Sequence, residues 1–78
     1  MDKADVFERL TGIFRKVFGD DTLEISDELT ANDVEGWDSL TNIQLVVTVE
    51  KHFDVKFTSE EILLWKNVGE MVDCILTK

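Results

Sequence analysis

Proline is absent from the 78-residue chain and glycine occurs only four times, so few turns are forced and helices can run uninterrupted. The single cysteine, Cys74, excludes an internal disulfide framework. Apolar runs are too short to span a bilayer, and Met1–Asp5 lacks the basic-then-apolar pattern of a signal peptide. These absences point to the cytosol and to a protein without membrane insertion. A Ser-His-acid arrangement, His/Cys metal-ligand spacing and a phosphate-binding glycine loop are also missing, so catalysis is not expected. Lysine and arginine do not occur anywhere between Val17 and Glu50.

What is present is acid. Seventeen Asp and Glu residues against eight Lys and Arg give a net charge of −9. That balance excludes nucleic acid as a partner and favours basic protein surfaces. Eight of the acids, Asp20, Asp21, Glu24, Asp27, Glu28, Asp33, Glu35 and Asp38, fall within one stretch. The stretch reads either as a solvated loop or as a field that steers basic partners to one end of the molecule. Hydrophobic residues make up 44% of the chain, enough for the modest core of one small domain, expected to span residues 1–78 as a monomer.

Four helices are predicted. The first runs from about Lys3 to Phe18, with Val6, Leu10, Ile13, Phe14, Val17 and Phe18 at helical spacing, Asp2 as N-cap and Gly19 as stop. Residues Asp20 to Trp37 form a long connection. Leu23, Ile25, Leu29 and Val34 tack it to the core, and Ser26-Asp27-Glu28-Leu29 is a candidate for a short helical turn. The second helix begins at Asp38 or Ser39 and ends near Phe53. Thr58 and Glu61 make a capping box for a short third helix through Ile62-Leu63-Leu64-Trp65. Asn67 caps a fourth that ends near Leu76. The predicted fold is all-α, a small four-helix bundle with a long first loop and a short third helix.

On a helical wheel with Ser39 at 0°, Leu45, Val46, Val49 and Phe53 fall between about 240° and 340°, an arc suited to a core. A second apolar arc, Leu40, Ile43 and Val47, lies between about 40° and 100°. Geometry leaves it open whether this second arc is more core or a docking strip. Cys74 reads as a small apolar residue of the last helix; as a reactive thiol it has no cation nearby, and the adjacent Asp73 would raise its pKa.

A serine in the first turn of a helix is ordinarily a cap, but Asp38 is an equally good cap one residue earlier, which leaves the Ser39 hydroxyl spare. Asp38-Ser39-Leu40 resembles the Asp-Ser-Leu motif of acyl carrier proteins. Leu40-Thr41-Asn42-Ile43-Gln44-Leu45 is similar to the stretch that follows the serine in that family, and Glu50-Lys51-His52-Phe53 to the Glu-x-x-Phe that ends its second helix. Length, acidity and the segment from Phe57 to Val68 agree as well.

The resemblance implies that Ser39 receives 4'-phosphopantetheine from coenzyme A. A phosphopantetheinyl transferase would attach it, and acyl-loading and acyl-processing enzymes with basic or apolar docking surfaces would be the partners. Asp38, Leu40, Ile43, Gln44 and Val47 would form the docking surface. Gln44 stands where the family usually has Glu, and Trp37, Leu63, Leu64 and Trp65 add apolar surface; both departures suggest a specialised carrier. Two alternatives stay open: a stand-alone aminoacyl or peptidyl carrier, and an unmodified helical interaction domain in which Ser39 is only a cap.

Overall fold

The computed structural model describes residues 2–78, and four α-helices account for most of them: α1 (Lys3–Phe18), α2 (Ser39–Phe53), α3 (Ser59–Leu64) and α4 (Val68–Leu76). No strand occurs among the described residues. Each helix starts where its sequence supplies a cap. The Asp2 carboxylate accepts from the Asp5 N–H at 2.9 Å, and α1 ends at Gly19 in the left-handed conformation. Thr58 and Glu61 form the reciprocal box at α3, and the Asn67 side chain accepts from the Glu70 N–H at 3.0 Å to open α4.

α1 is the central element and packs against both α2 and α4. Its stripe of Val6, Leu10, Ile13 and Phe14 is buried, against Leu45 and Val49 of α2 and Val68, Met71, Val72 and Ile75 of α4. α3 packs on α4. The Asp54–Phe57 segment is extended and connects α2 to α3; the Phe57 N–H donates to Glu50 Oε2 at 2.9 Å, which fixes this connection to the end of α2.

Leu23, Ile25 and Leu29 pack on the core from the long loop, and Val34 is buried. The helical turn lies elsewhere than expected. Ser26–Leu29 closes a hydrogen-bonded turn, whereas the 3-10 helix covers Ala31–Asp33. Asp33 explains the shift: its carboxylate accepts from the Thr30 N–H at 3.0 Å and the Thr30 hydroxyl at 3.1 Å, a capping arrangement that Ser26–Leu29 lacks.

The loop is also pinned to α4. The backbone N–H groups of Val68 and Gly69, which have no partner within their own helix, donate to the carbonyls of Leu29 (2.9 Å) and Asp27 (3.0 Å). A Cβ at residue 69 would lie 2.8 Å from Asp27 Oδ1 and 3.0 Å from its carbonyl oxygen, so only glycine allows this approach. An ion pair between Lys3 and Asp27, 3.2 Å, adds an exposed tie to α1.

Candidate functional site

The first turn of α2 is built around Asp38. Its Oδ1 accepts from the N–H groups of Leu40 (2.9 Å) and Thr41 (3.0 Å). The Asp38 N–H donates to the Thr41 hydroxyl at 2.8 Å, and that hydroxyl donates to the Gly36 carbonyl at 2.7 Å. Gly36 sits at φ 89°, which an L side chain rarely adopts, and so lets the chain turn sharply into the cap. The Thr41 N–H, with that of Leu40, holds the Asp38 carboxyl below the usual carboxylate range. An ionised cap is the stronger acceptor at a helix N-terminus.

Asp38 therefore does the capping. Ser39 is exposed, and its hydroxyl has no hydrogen-bond partner among the described residues. It stands on the rim of a cleft of about 350 Å³ between α2, the 3-10 turn, α3 and the start of α4. Trp37 and Trp65 give the cleft aromatic walls, Ile62 and Met71 line it from α3 and α4, and Asn42, Lys66 and Asn67 supply its nitrogen donors. Trp37 also packs edge-on against Phe14 at 5.3 Å and against Phe18 at 5.8 Å, and Trp65 packs edge-on against Phe57 at 4.9 Å. Each indole thus serves both the core and the cleft.

The structure decides between the two uses of the second apolar arc. Leu40, Ile43 and Val47 are 68%, 62% and 41% exposed, whereas Leu45, Val46 and Val49 are buried and Phe53 half-buried. Gln44 is exposed beside the strip, and Leu63 and Leu64 extend exposed apolar surface onto α3. All eight acids between Asp20 and Asp38 are exposed.

Two features were not legible in the sequence. Asn42 accepts a hydrogen bond from the Trp37 indole, Nε1 to Oδ1, at 3.1 Å. Glu61 accepts from the Lys78 ammonium at 2.8 and 2.9 Å, which, with the Thr58 N–H, lowers its pKa to about 2. Cys74 is half-buried on α4, with Sγ 3.6 Å from Glu61 Oε2. Its pKa is raised, as expected, but through burial first and then Glu61; Asp73, the expected cause, plays no part.

Comparison with known proteins agrees with this geometry. Residues 8–75 match the family model described as a phosphopantetheine attachment site. The acyl carrier protein of Clostridium acetobutylicum is 34% identical over 70 residues, covering 90% of this chain and 91% of its own. That of Acidothermus cellulolyticus is 31% identical over 75 residues, covering 96% and 89%. The solution NMR structure of holo acyl carrier protein from Geobacter metallireducens superposes with a TM-score of 0.89 at 41% identity, over 94% of this chain and 84% of that one.

The chain belongs to the phosphopantetheine-bearing carrier family, and within it to the acyl carrier proteins. Carriers of this family bear 4'-phosphopantetheine as a covalent group and work with a phosphopantetheinyl transferase and with biosynthetic enzymes. The residues of this chain fit such a group. A hydroxyl not used by the fold stands at the N-terminus of a 15-residue helix, where the dipole favours a phosphate, and a cleft opens beside it.

Proposed function

We propose that Ser39 is the attachment residue and that this chain acts as a carrier and not as a catalyst. The observation that carries the reading is the division of labour between adjacent residues: Asp38 caps α2 and leaves the Ser39 hydroxyl exposed and unbonded. The phosphopantetheine arm supplies a thiol on which acyl groups travel as thioesters. The protein's own part is to hold the attachment point at a fixed helix end, to shelter the proximal arm against the cleft, and to present a surface for its partners.

Leu40, Ile43, Gln44 and Val47, with Asp38 at their head, form the docking surface in this reading. Support comes from the exposure of the three apolar residues and from the absence of any ionisable side chain between Ser39 and Val49. The acids before α2 draw a basic partner in, and the apolar strip holds it briefly. Residues 1–78 act as one carrier domain, monomeric and cytoplasmic. No helix among the described residues is long and apolar enough to cross a membrane.

Intact-mass measurement tests the assignment. Incubation with coenzyme A, Mg²⁺ and a broad-specificity phosphopantetheinyl transferase should add one phosphopantetheine group to the protein. Ser39→Ala should add none while keeping its helical circular dichroism. Modification of the Ser39→Ala variant, or none of the wild type, would refute it.

A further inference from the structure

The cleft beside Ser39 has an uneven hydrogen-bonding character. Asn42 uses its side-chain oxygen to accept from the Trp37 indole, and Asn67 uses its oxygen to accept from the Glu70 N–H. Because each oxygen is committed, the orientation of each amide is fixed, and the free end is the NH₂ group. Neither NH₂ group has a protein acceptor among the described residues, and both side chains line the cleft. Lys66 lines it too, and its ammonium makes no ion pair among the described residues. Asp38 is the one carboxylate of the lining, and its Oδ1 is taken by the N-cap. The cleft thus offers nitrogen donors framed by two indoles. A saturated chain would cover those donors and return nothing, at a cost that hydrogen-bonded oxygens avoid.

We infer that this cleft selects acyl groups bearing a carbonyl or hydroxyl oxygen close to the thioester over saturated chains of the same length. Asn42 and Asn67 are the specificity-determining donors. The inference rests on Ser39 as the attachment point, since it places the cargo at the cleft rim. It names a class of cargo defined by its oxygen acceptors. Such cargo comes from a reaction that leaves a β-carbonyl or β-hydroxyl in place.

Asparagine-to-aspartate changes separate the two ends of each amide. Asn42→Asp and Asn67→Asp keep an oxygen for the Trp37 indole and for the α4 cap, but remove both donors. The transferase would load wild type and the double variant with acetoacetyl- or butyryl-coenzyme A, which differ by a single β-carbonyl. Thioester cleavage by hydroxylamine then reports how well each cargo is sheltered.

A lost hydrogen bond worth about 1 kcal/mol should speed cleavage of the acetoacetyl cargo roughly fivefold in the double variant, while the butyryl cargo changes little. In ¹⁵N-labelled wild type, the side-chain amide signals of Asn42 and Asn67 should move between butyryl- and acetoacetyl-loaded protein. The arm is common to both, so the difference belongs to the acyl oxygen. Equal acceleration for both cargoes, or none with unmoved amide signals, would overturn the inference while leaving the carrier reading intact. A protein that takes up no arm at all would instead sink the attachment reading.

Discussion

The Trp37 indole N–H donates to the Asn42 side-chain oxygen across 3.1 Å, joining the end of the long loop to the first turn of α2 on either side of Ser39. This bond sets the indole that lines the cleft and stacks on Phe14, so it links the hydrophobic core to the attachment point. Asn42→Leu leaves that half-buried donor without a partner and should destabilise the fold by about 1–3 kcal/mol. Asn42→Asp, which keeps the acceptor, should recover most of the loss. Urea unfolding followed by tryptophan fluorescence distinguishes the two; an unchanged midpoint for Asn42→Leu would mean the bond carries no weight.

The two faces of α2 should respond differently to the same truncation. Leu45→Ala removes a fully buried side chain and should cost about 2–5 kcal/mol. Ile43→Ala should stay within about 0.5 kcal/mol, since its side chain is mostly in water. Affinity for the transferase should show the reverse order, with Ile43→Ala the weaker binder. Comparable destabilisation by both changes would place Ile43 in the core.

Gly69→Ala puts a methyl group into the Asp27 carbonyl and carboxylate, 3.0 and 2.8 Å away. The loop would have to move off α4, at a cost of roughly 1–3 kcal/mol. Thermal unfolding measures it, and faster amide exchange at Val68 and residue 69 would locate the damage.

Glu61 and Lys78 predict a pH dependence with a definite sign. The Glu61 carboxyl has its pKa lowered to about 2 by Lys78, so its contribution is complete above the unfolded value near 4.5 and is lost as pH falls towards 2. Lys78 is raised by the same contact, so its contribution is complete below its ordinary value of 10.5 and is lost as pH climbs through the raised one. Lys78→Ala should flatten the stability profile between pH 4.5 and 2 relative to wild type. An acid limb identical in both proteins would show that the ion pair is not populated in solution.

Local signals made most of the fold readable from the sequence. Asp2, Asp38, Thr58 with Glu61, and Asn67 each begin a helix because a short side chain beside an apolar-periodic run has one low-energy use there. The two arcs of α2 followed from its period, although only the structure could say which one faced water. The 3-10 turn was misplaced by a few residues because Thr30 and Asp33, spaced for a cap, were not weighed against Ser26–Leu29. Trp37 with Asn42 and Glu61 with Lys78 left no periodic trace, since each joins residues that meet only after the chain has folded. Of the cleft, Ser39, Asp38 and the two indoles stood out in the sequence. Lys66 and Asn67 did not, because their place depends on how α3 is set against α4.

The two hydrogen bonds from Val68 and Gly69 to the loop carbonyls act as a seam. They join the loop wall of the cleft and its α4 wall into one leaf, which α1 backs from behind. Dilation of the cleft must therefore fall on α3, a helix of six residues that packs on α4 and is held at one end by the Thr58 cap and at the other by extended chain. Cargo capacity is then set by the give of one short helix, and not by how much core the protein can rearrange.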